Sequence, residues 1–220
     1  MLVIFDCDGV LVDSEPISNR ILAQELTAIG LPTSTEDSTR DYMGRSWASC
    51  TAIIEERLGR ALPPAFAARY HAAVFDAFER ELQPVAGIEA ALDRIDLPSC
   101  VASSGAHDRI RCALGVTGLL ERFDRRIFSA TDVEHGKPAP DLFLHAAARM
   151  GFEPERCVVV EDSPAGAQAG RAAGMAVLGY AGVTDAALLA AEGARTFTAM
   201  AELPGLVSGC APRPGAGRSA

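Results

Sequence analysis

Asp6 and Asp8 are separated by one residue and follow directly on an apolar run, Leu2-Val3-Ile4-Phe5. On continuing strand geometry both carboxylates point to the same side of the chain, where like charges repel unless a cation or a proton lies between them. Gly9 then lets the backbone turn sharply. Three further polar groups stand at comparable places. Ser103 and Ser104 end the run Val101-Ala102, Glu161 and Asp162 end the run Cys157-Val158-Val159-Val160, and Lys137 lies in a Gly/Pro-rich loop between them. A solvated acidic turn or a capped helix accounts for any one of these alone, and Ser163-Pro164 has the form of an N-cap followed by a first helical residue. Capping does not explain two carboxylates at the end of an apolar strand. Together the groups supply two acidic pairs, a hydroxyl and one ammonium, which can surround a divalent cation and a phosphoryl group.

Lys137 is singled out by composition. The chain has nineteen arginines and this single lysine. A sequence that uses arginine everywhere else and lysine once points to a position needing a compact ammonium rather than a planar fork.

The elements that must position these groups follow from periodicity. Leu2–Phe5 has the length and branching of a strand buried on both faces. Ile17, Ile21, Leu22, Leu26 and Ile29 then recur at helical spacing, with Asp13 or Ser14 as cap and Gly30 as stop. Further helical segments are predicted over 36–43, 48–58 and 64–82, with no strand pattern between residues 15 and 83. From Pro84 onward strands (99–103, 126–129, 157–160, 176–180 and a weak 196–198) alternate with helices (88–95, 108–114, 140–150, 165–173, 185–191), the pattern of a parallel sheet flanked by helices. In such a sheet the crevice lies beyond the carboxyl ends of the strands, where all four polar groups fall. The Gly-, Pro- and Arg-rich tail from Ser208 is expected to be disordered.

Composition narrows the function classes. A length of 220 residues, 49% hydrophobic and 22% charged, suits a globule of one domain with an insertion or two small domains. A net charge of −9 disfavours non-specific binding to nucleic acid or an anionic membrane. With no signal-like segment and no long apolar run, the expectation is a cytoplasmic protein. The six cysteines form no Cys-x-x-Cys and are read as reduced packing residues, Cys7 facing away from its flanking aspartates.

Asp6-Cys7-Asp8-Gly9-Val10-Leu11-Val12-Asp13 resembles the first motif of the haloacid dehalogenase-like (HAD) phosphatases and phosphomutases. Gly136-Lys137-Pro138-Ala139-Pro140-Asp141 and Val160-Glu161-Asp162-Ser163 resemble the third and fourth, in the family's order and spacing, so the likeness spans nearly the whole chain. The helical insertion is similar to the cap of the β-phosphoglucomutase-like branch, and within it to small sugar-phosphate phosphatases. The resemblance implies an α/β fold, with a doubly wound, Rossmann-like parallel sheet over 1–14 and 83–207 and an inserted all-helical cap over 15–82. It implies a Mg²⁺-dependent phosphatase of a sugar or sugar-acid phosphate, working through an aspartyl-phosphate as a monomer or homodimer. Asp6 would be the nucleophile and Asp8 the general acid and base. The Asp6 carboxylate, the Asp8 backbone carbonyl and Asp162 would hold the metal, with Glu161 beside or behind them. Ser103, the Ser104 amide and Lys137 would bind phosphoryl oxygens. In the cap turn Met43-Gly44-Arg45-Ser46-Trp47, Trp47 would stack on the sugar, or else pack between cap helices, and Arg45 would meet an anionic group.

Departures from the family pattern narrow the choice further. Ser18 stands where the mutases carry a cap histidine, which disfavours a phosphosugar mutase. Asp8 is absent from true dehalogenases, and the cap lacks the lysine of phosphonate hydrolases. A non-catalytic phosphometabolite-binding protein is disfavoured by the intact set Asp6, Asp8, Lys137 and Asp162. Of the histidines, only His107 is expected to border the site.

Overall fold

The computed structural model of the chain describes residues 1–43, 45 and 47–210. Its central element is β1 (Leu2–Phe5), every residue of which is buried. Val3 and Phe5 pack into one apolar cluster and Leu2 and Ile4 into another, on the opposite face. This two-sided burial is why the strand is a continuous apolar run and does not alternate with polar residues.

Around it, β2 (Ser99–Ser103), β3 (Ile127–Ser129), β4 (Cys157–Glu161), β5 (Ala176–Tyr180) and β6 (Arg195–Phe197) form a six-stranded sheet in the order β3-β2-β1-β4-β5-β6. Every pairing is parallel. The chain moves outward from β1 to β2 and β3, then crosses back to β4 beside it. That reversal opens a crevice at the carboxyl ends of β1 and β4, the place where ligands bind in doubly wound sheets.

Between β1 and β2 lie α1 (Glu15–Ala28), α2 (Thr35–Tyr42), α3 (Trp47–Leu58), α4 (Phe66–Glu81) and the short α5 (Ile88–Leu92). The first four contain no strand among the described residues. The two chain segments that lead to and from them run side by side: the Asp13 amide donates to the Gln83 carbonyl at 2.9 Å and the Val85 amide to the Leu11 carbonyl at 3.0 Å. Phe66, Val74 and Phe78 of α4 are buried in the same apolar cluster as Val3 and Phe5, so these helices share one core with that face of the sheet. The sheet is flanked further by α6 (His107–Val116), α7 (Leu120–Phe123), α8 (Asp141–Met150), α9 (Pro164–Ala172), α10 (Ala186–Ala191) and α11 (Leu203–Cys210). No helix among the described residues is long and apolar enough to cross a membrane.

Three local expectations change. Ser14 precedes α1, but its side chain makes no capping hydrogen bond and is directed elsewhere. The tail expected to be disordered from Ser208 is helical as far as Cys210, and 211–220 lie outside the described residues. Pro204, Gly205 and Gly209 argue against helix by propensity, but Leu203, Pro204 and Val207 are buried and α11 packs on α5, so tertiary packing prevails. The four-residue α7 has no periodicity to betray it.

Candidate active site

A cavity of about 650 Å³ lies over the carboxyl ends of β1, β2 and β4, with Asp6, Asp8, Ser103, Lys137 and Asp162 on its floor. Its opposite wall is made by α1, α3 and α4, through Glu15, Ser18, Trp47 and Tyr70 among others. The four groups picked out by position at strand ends therefore converge on one space.

Lys137 is the hub of the floor. Its Nζ donates to Asp6 Oδ1 at 2.8 Å, Glu161 Oε1 at 2.6 Å and the Ala102 carbonyl at 3.1 Å. An ammonium has three hydrogens, and all three are used. The side chain is only 4% exposed, and its charge also sits 4.9 Å from the centre of the Phe143 ring. Burial opposes the charged form, but the Asp6 and Glu161 carboxylates outweigh it and hold the ammonium well above the usual lysine range. Asp6 shows the reverse balance: burial pushes its carboxyl up to about 7, with Lys137 pulling it down and Glu161 reinforcing the rise.

Glu161 is fully buried and completely engaged. While Oε1 takes the Lys137 ammonium, Oε2 accepts the Asp162 amide, the Ser163 amide and the Ser163 hydroxyl at 2.8 to 2.9 Å. Ser163 meanwhile accepts the Gly166 amide at 3.0 Å as the N-cap of α9, as its sequence position suggests. One loop thus both caps a helix and fixes a carboxylate.

Asp6, Glu161 and Asp162 each offer a carboxylate oxygen within 4.8 Å of the others. Burial, then Glu161 and Asp6, raise the Asp162 carboxyl well above its usual range. Clustered carboxylate oxygens against one ammonium suit a divalent cation such as Mg²⁺, with Asp6 and Asp162 the acids whose oxygens are not already taken up as those of Glu161 are. Two glycines make room for these acids. A Cβ on Gly166 would lie 1.8 Å from Glu161 Oε1, and a Cβ on Gly9, whose φ is +77°, would lie 2.0 Å from Asp162 Oδ2.

Asp8 belongs to a separate cluster. Its Oδ1 accepts the Ser14 hydroxyl at 2.6 Å and Arg109 Nη2 at 2.9 Å. Burial works against ionisation here too, but Arg109 and the Ser14 hydrogen bond overcome it and hold the carboxyl below the usual aspartate range. Ser14 is thus a site residue instead of a helix cap. Neighbouring Asp6 and Asp8 differ because one shares its cation with Glu161 whereas the other has its own guanidinium. Cys7 between them is 1% exposed and packs into the apolar cluster, and burial pushes its thiol up, away from reactivity.

Ser103 closes β2 with its Oγ accepting the Gly105 amide at 3.1 Å, which leaves the hydroxyl hydrogen free for another acceptor. Ser104 is exposed beside it on the cavity lining. The loop is braced by Ser129, whose hydroxyl donates to the Gly105 carbonyl at 2.7 Å, and by His107, whose Nε2 lies 2.9 Å from Asp132 Oδ1. His107 therefore ties two loops together and does not line the cavity. The histidine that does is His71, on α4.

On the cap side, Arg45 lines the cavity while its Nε donates to the Asp41 carbonyl at 2.8 Å. Trp47 stacks on Tyr70, centroids 5.2 Å apart and planes 7° from parallel, with Phe66 and His71 close by. Of the two roles open to Trp47, packing between helices is the one its ring contacts show, against Phe66, Tyr70 and His71 of α4, and the residue also borders the cavity. Gly44 and Ser46 of the same turn lie outside the described residues.

Sequence reasoning missed Arg109, Ser14 and Glu15. Arg109 had a usable signal: a cation in the first turn of a helix opposes the macrodipole, so a nearby anion is implied. Glu15 opens α1 at the cavity wall, where burial, helped by Asp8, pushes its carboxyl up to about 7.

Known proteins resemble the chain in sequence and fold. The chain is 34% identical over 205 residues to 6-phosphogluconate phosphatase of Escherichia coli K12, a match covering 93% of each chain. It is 33% identical over 174 residues to fructose-1-phosphate phosphatase YqaB of the same organism, covering 79% of this chain and 92% of that one. Among solved structures, a haloacid dehalogenase-like protein of Agrobacterium tumefaciens C58 superposes with a TM-score of 0.84 at 36% identity, over 94% of this chain and 97% of the other. The sequence model described as haloacid dehalogenase-like hydrolase matches residues 1–174, and with these relatives it establishes that the chain belongs to the haloacid dehalogenase-like hydrolase family.

Proposed function

We propose that the chain is a Mg²⁺-dependent phosphatase that hydrolyses a small phosphorylated sugar or sugar acid through an aspartyl-phosphate on Asp6. The observation that carries this reading is the placement of Asp6, with its carboxylate against the sole lysine and within reach of Asp162. A carboxylate attacks phosphorus only when its own charge and that of the phosphoryl group are offset. Lys137 supplies one offset. Asp6, Asp162 and the Asp8 carbonyl would hold Mg²⁺, which when bound supplies the other by drawing charge from the phosphoryl oxygens. Glu161, with both oxygens already occupied, serves behind these groups by holding Lys137 in place. Ser103 and the Ser104 amide would receive phosphoryl oxygens. Because all three Lys137 hydrogens are taken, the residue contributes charge and alignment to Asp6, and donates to phosphate only if a present partner is exchanged.

Asp8 would give a proton to the leaving alcohol and then accept one from the water that cleaves the aspartyl-phosphate. The helices opposite it act as a cap that selects the alcohol and keeps water from the first transfer. The relatives' substrates, 6-phosphogluconate and fructose 1-phosphate by their names, support a phosphorylated sugar or sugar acid as the substrate class.

The test is a panel of phosphate esters assayed for free phosphate with Mg²⁺ and with a chelator. Release from sugar and sugar-acid phosphates, lost on chelation, is the expected result. Incubation with β-glucose 1-phosphate and a trace of its bisphosphate covers the mutase alternative, and glucose 6-phosphate formed without free phosphate would overturn the proposal.

A further inference from the structure

We propose that Arg109 is a positioning residue that fixes the orientation of Asp8 and ties it to the seating of the cap helices α1 and α4. The inference rests on the phosphatase reading and goes beyond it by assigning a role to a residue outside the four strand-end groups.

The geometry has three parts. First, the Ser14 hydroxyl and Arg109 Nη2 both bond to the same oxygen of Asp8, Oδ1, at 2.6 Å and 2.9 Å. One carboxylate oxygen is therefore clamped, and Oδ2 is left to exchange a proton with the substrate. A carboxyl group anchored at one oxygen by two donors cannot swing about its χ angles without breaking both. Secondly, the same Nη2 lies 3.3 Å from the Ser18 hydroxyl on α1, and the guanidinium carbon sits 4.8 Å over the ring of Phe78 on α4. Phe78 is 1% exposed, so the guanidinium face is fixed by a residue that cannot yield without moving the helix. Thirdly, Arg109 occupies the first turn of α6, where the macrodipole disfavours a cation. Its placement is explained by its partners and not by its helix. Arg109 thus reaches from the sheet side to two cap helices while holding the group assigned to proton transfer.

A general acid matters in proportion to how poor the leaving group is, and this separates positioning of Asp8 from mere stabilisation. The experiment compares kcat/KM for an alkyl phosphate, glycerol 3-phosphate, with kcat/KM for p-nitrophenyl phosphate, whose leaving group needs little protonation; kcat/KM reports transfer up to loss of the alcohol and not the later hydrolysis that both esters share. In Arg109→Gln, kcat/KM on the alkyl ester is expected to fall about thirtyfold, part of the roughly 10²–10⁴-fold that general acid catalysis contributes, while the aryl ester changes less than about threefold. Adding Arg109→Gln to Asp8→Asn should cost nothing further on the alkyl ester, since both act on one step. Phe78→Leu should show the same selectivity at smaller size, and none in the Arg109→Gln background. Should Arg109→Gln fail to fold, Arg109→Lys keeps the charge and stem but lacks the fork, and is expected to lose about tenfold on the alkyl ester alone. Equal losses on both esters, or a further loss on the Asp8→Asn background, would overturn the proposal while leaving the phosphatase reading intact. A wild-type protein that hydrolyses neither these esters nor the sugar-phosphate panel would overturn both.

Discussion

The two walls of the cavity are built on opposite principles. On the floor, Asp6 and Glu161 at strand ends and Lys137 in its loop are buried, and Lys137 spends all three of its hydrogens there, two of them on these carboxylates. Across from them, Arg45 is exposed between α2 and α3, and Trp47 is half-buried at the start of α3, held by ring stacking. Phosphoryl transfer needs charges placed to a fraction of an ångström, which fully satisfied buried groups provide. Selection of an alcohol tolerates more freedom, which aromatic packing on helices provides. The comparison teaches where substitutions should abolish turnover and where they should only redirect it.

The largest effect is expected on the floor. On the proposed mechanism Asp6→Asn removes the nucleophile, and turnover should vanish for every ester, aryl phosphates included, because an amide cannot form the covalent intermediate. Measurable burst or steady-state release of phosphate from Asp6→Asn would break the comparison outright.

Next is Gly166, which touches no substrate. A methyl group there meets the Glu161 carboxylate, which must shift and carry Lys137 with it. Gly166→Ala should lower kcat by roughly a hundredfold, the scale on which about 1 Å of misplacement is felt. Shortening the acid in Gly166→Ala/Glu161→Asp should recover part of the loss; no recovery would mean that the glycine serves α9 alone.

The floor also predicts a pH dependence of stability. Asp6 and Glu15 are raised to about 7 from ordinary values of 3.8 and 4.5, and Asp162 is raised as well, so the folded chain holds these protons more tightly than the unfolded one. Their contribution is complete below the unfolded values and is lost as pH rises through about 7. Asp8 is shifted the other way, but its window lies below 3.8. In chelator the melting temperature should therefore fall from about pH 5 to about pH 8, and added Mg²⁺ should restore more of it at the higher pH. A melting temperature that rises over that interval without metal would contradict this electrostatic account.

The smallest effect belongs to the cap. Trp47→Ala should reduce kcat/KM for the best sugar phosphate about tenfold and for an activated aryl phosphate about threefold or less. Because the ring stacks on Tyr70, a lower melting temperature should accompany it. Equal kinetic losses on the two substrates would assign Trp47 to packing alone and sharpen the contrast between the walls.

Much of the floor was legible because chemistry was written at strand ends. Asp6, Ser103, Lys137 and Glu161 each break an apolar run or a compositional rule, and a parallel sheet brings such positions together. What escaped was contact between distant segments. Arg109 is one of nineteen arginines, and nothing local says that it meets Asp8 across 101 residues. Ser14 has the form of a cap until the structure shows its hydroxyl turned to Asp8. Gly9 and Gly166 appear in sequence as a turn and as a residue within a helix; that their missing side chains house two carboxylates is visible only in three dimensions. For α11 the local composition pointed away from helix, and packing reversed it.

The burial of Lys137 has a practical consequence for handling the molecule. As the sole ε-amine of the chain, 4% exposed and kept protonated by two carboxylates, it is shielded from acylating reagents in the native fold. Acylation at that residue becomes a one-site clock, advancing only when the floor opens locally or the chain unfolds, and a single modified peptide counted by mass would report the frequency of that opening.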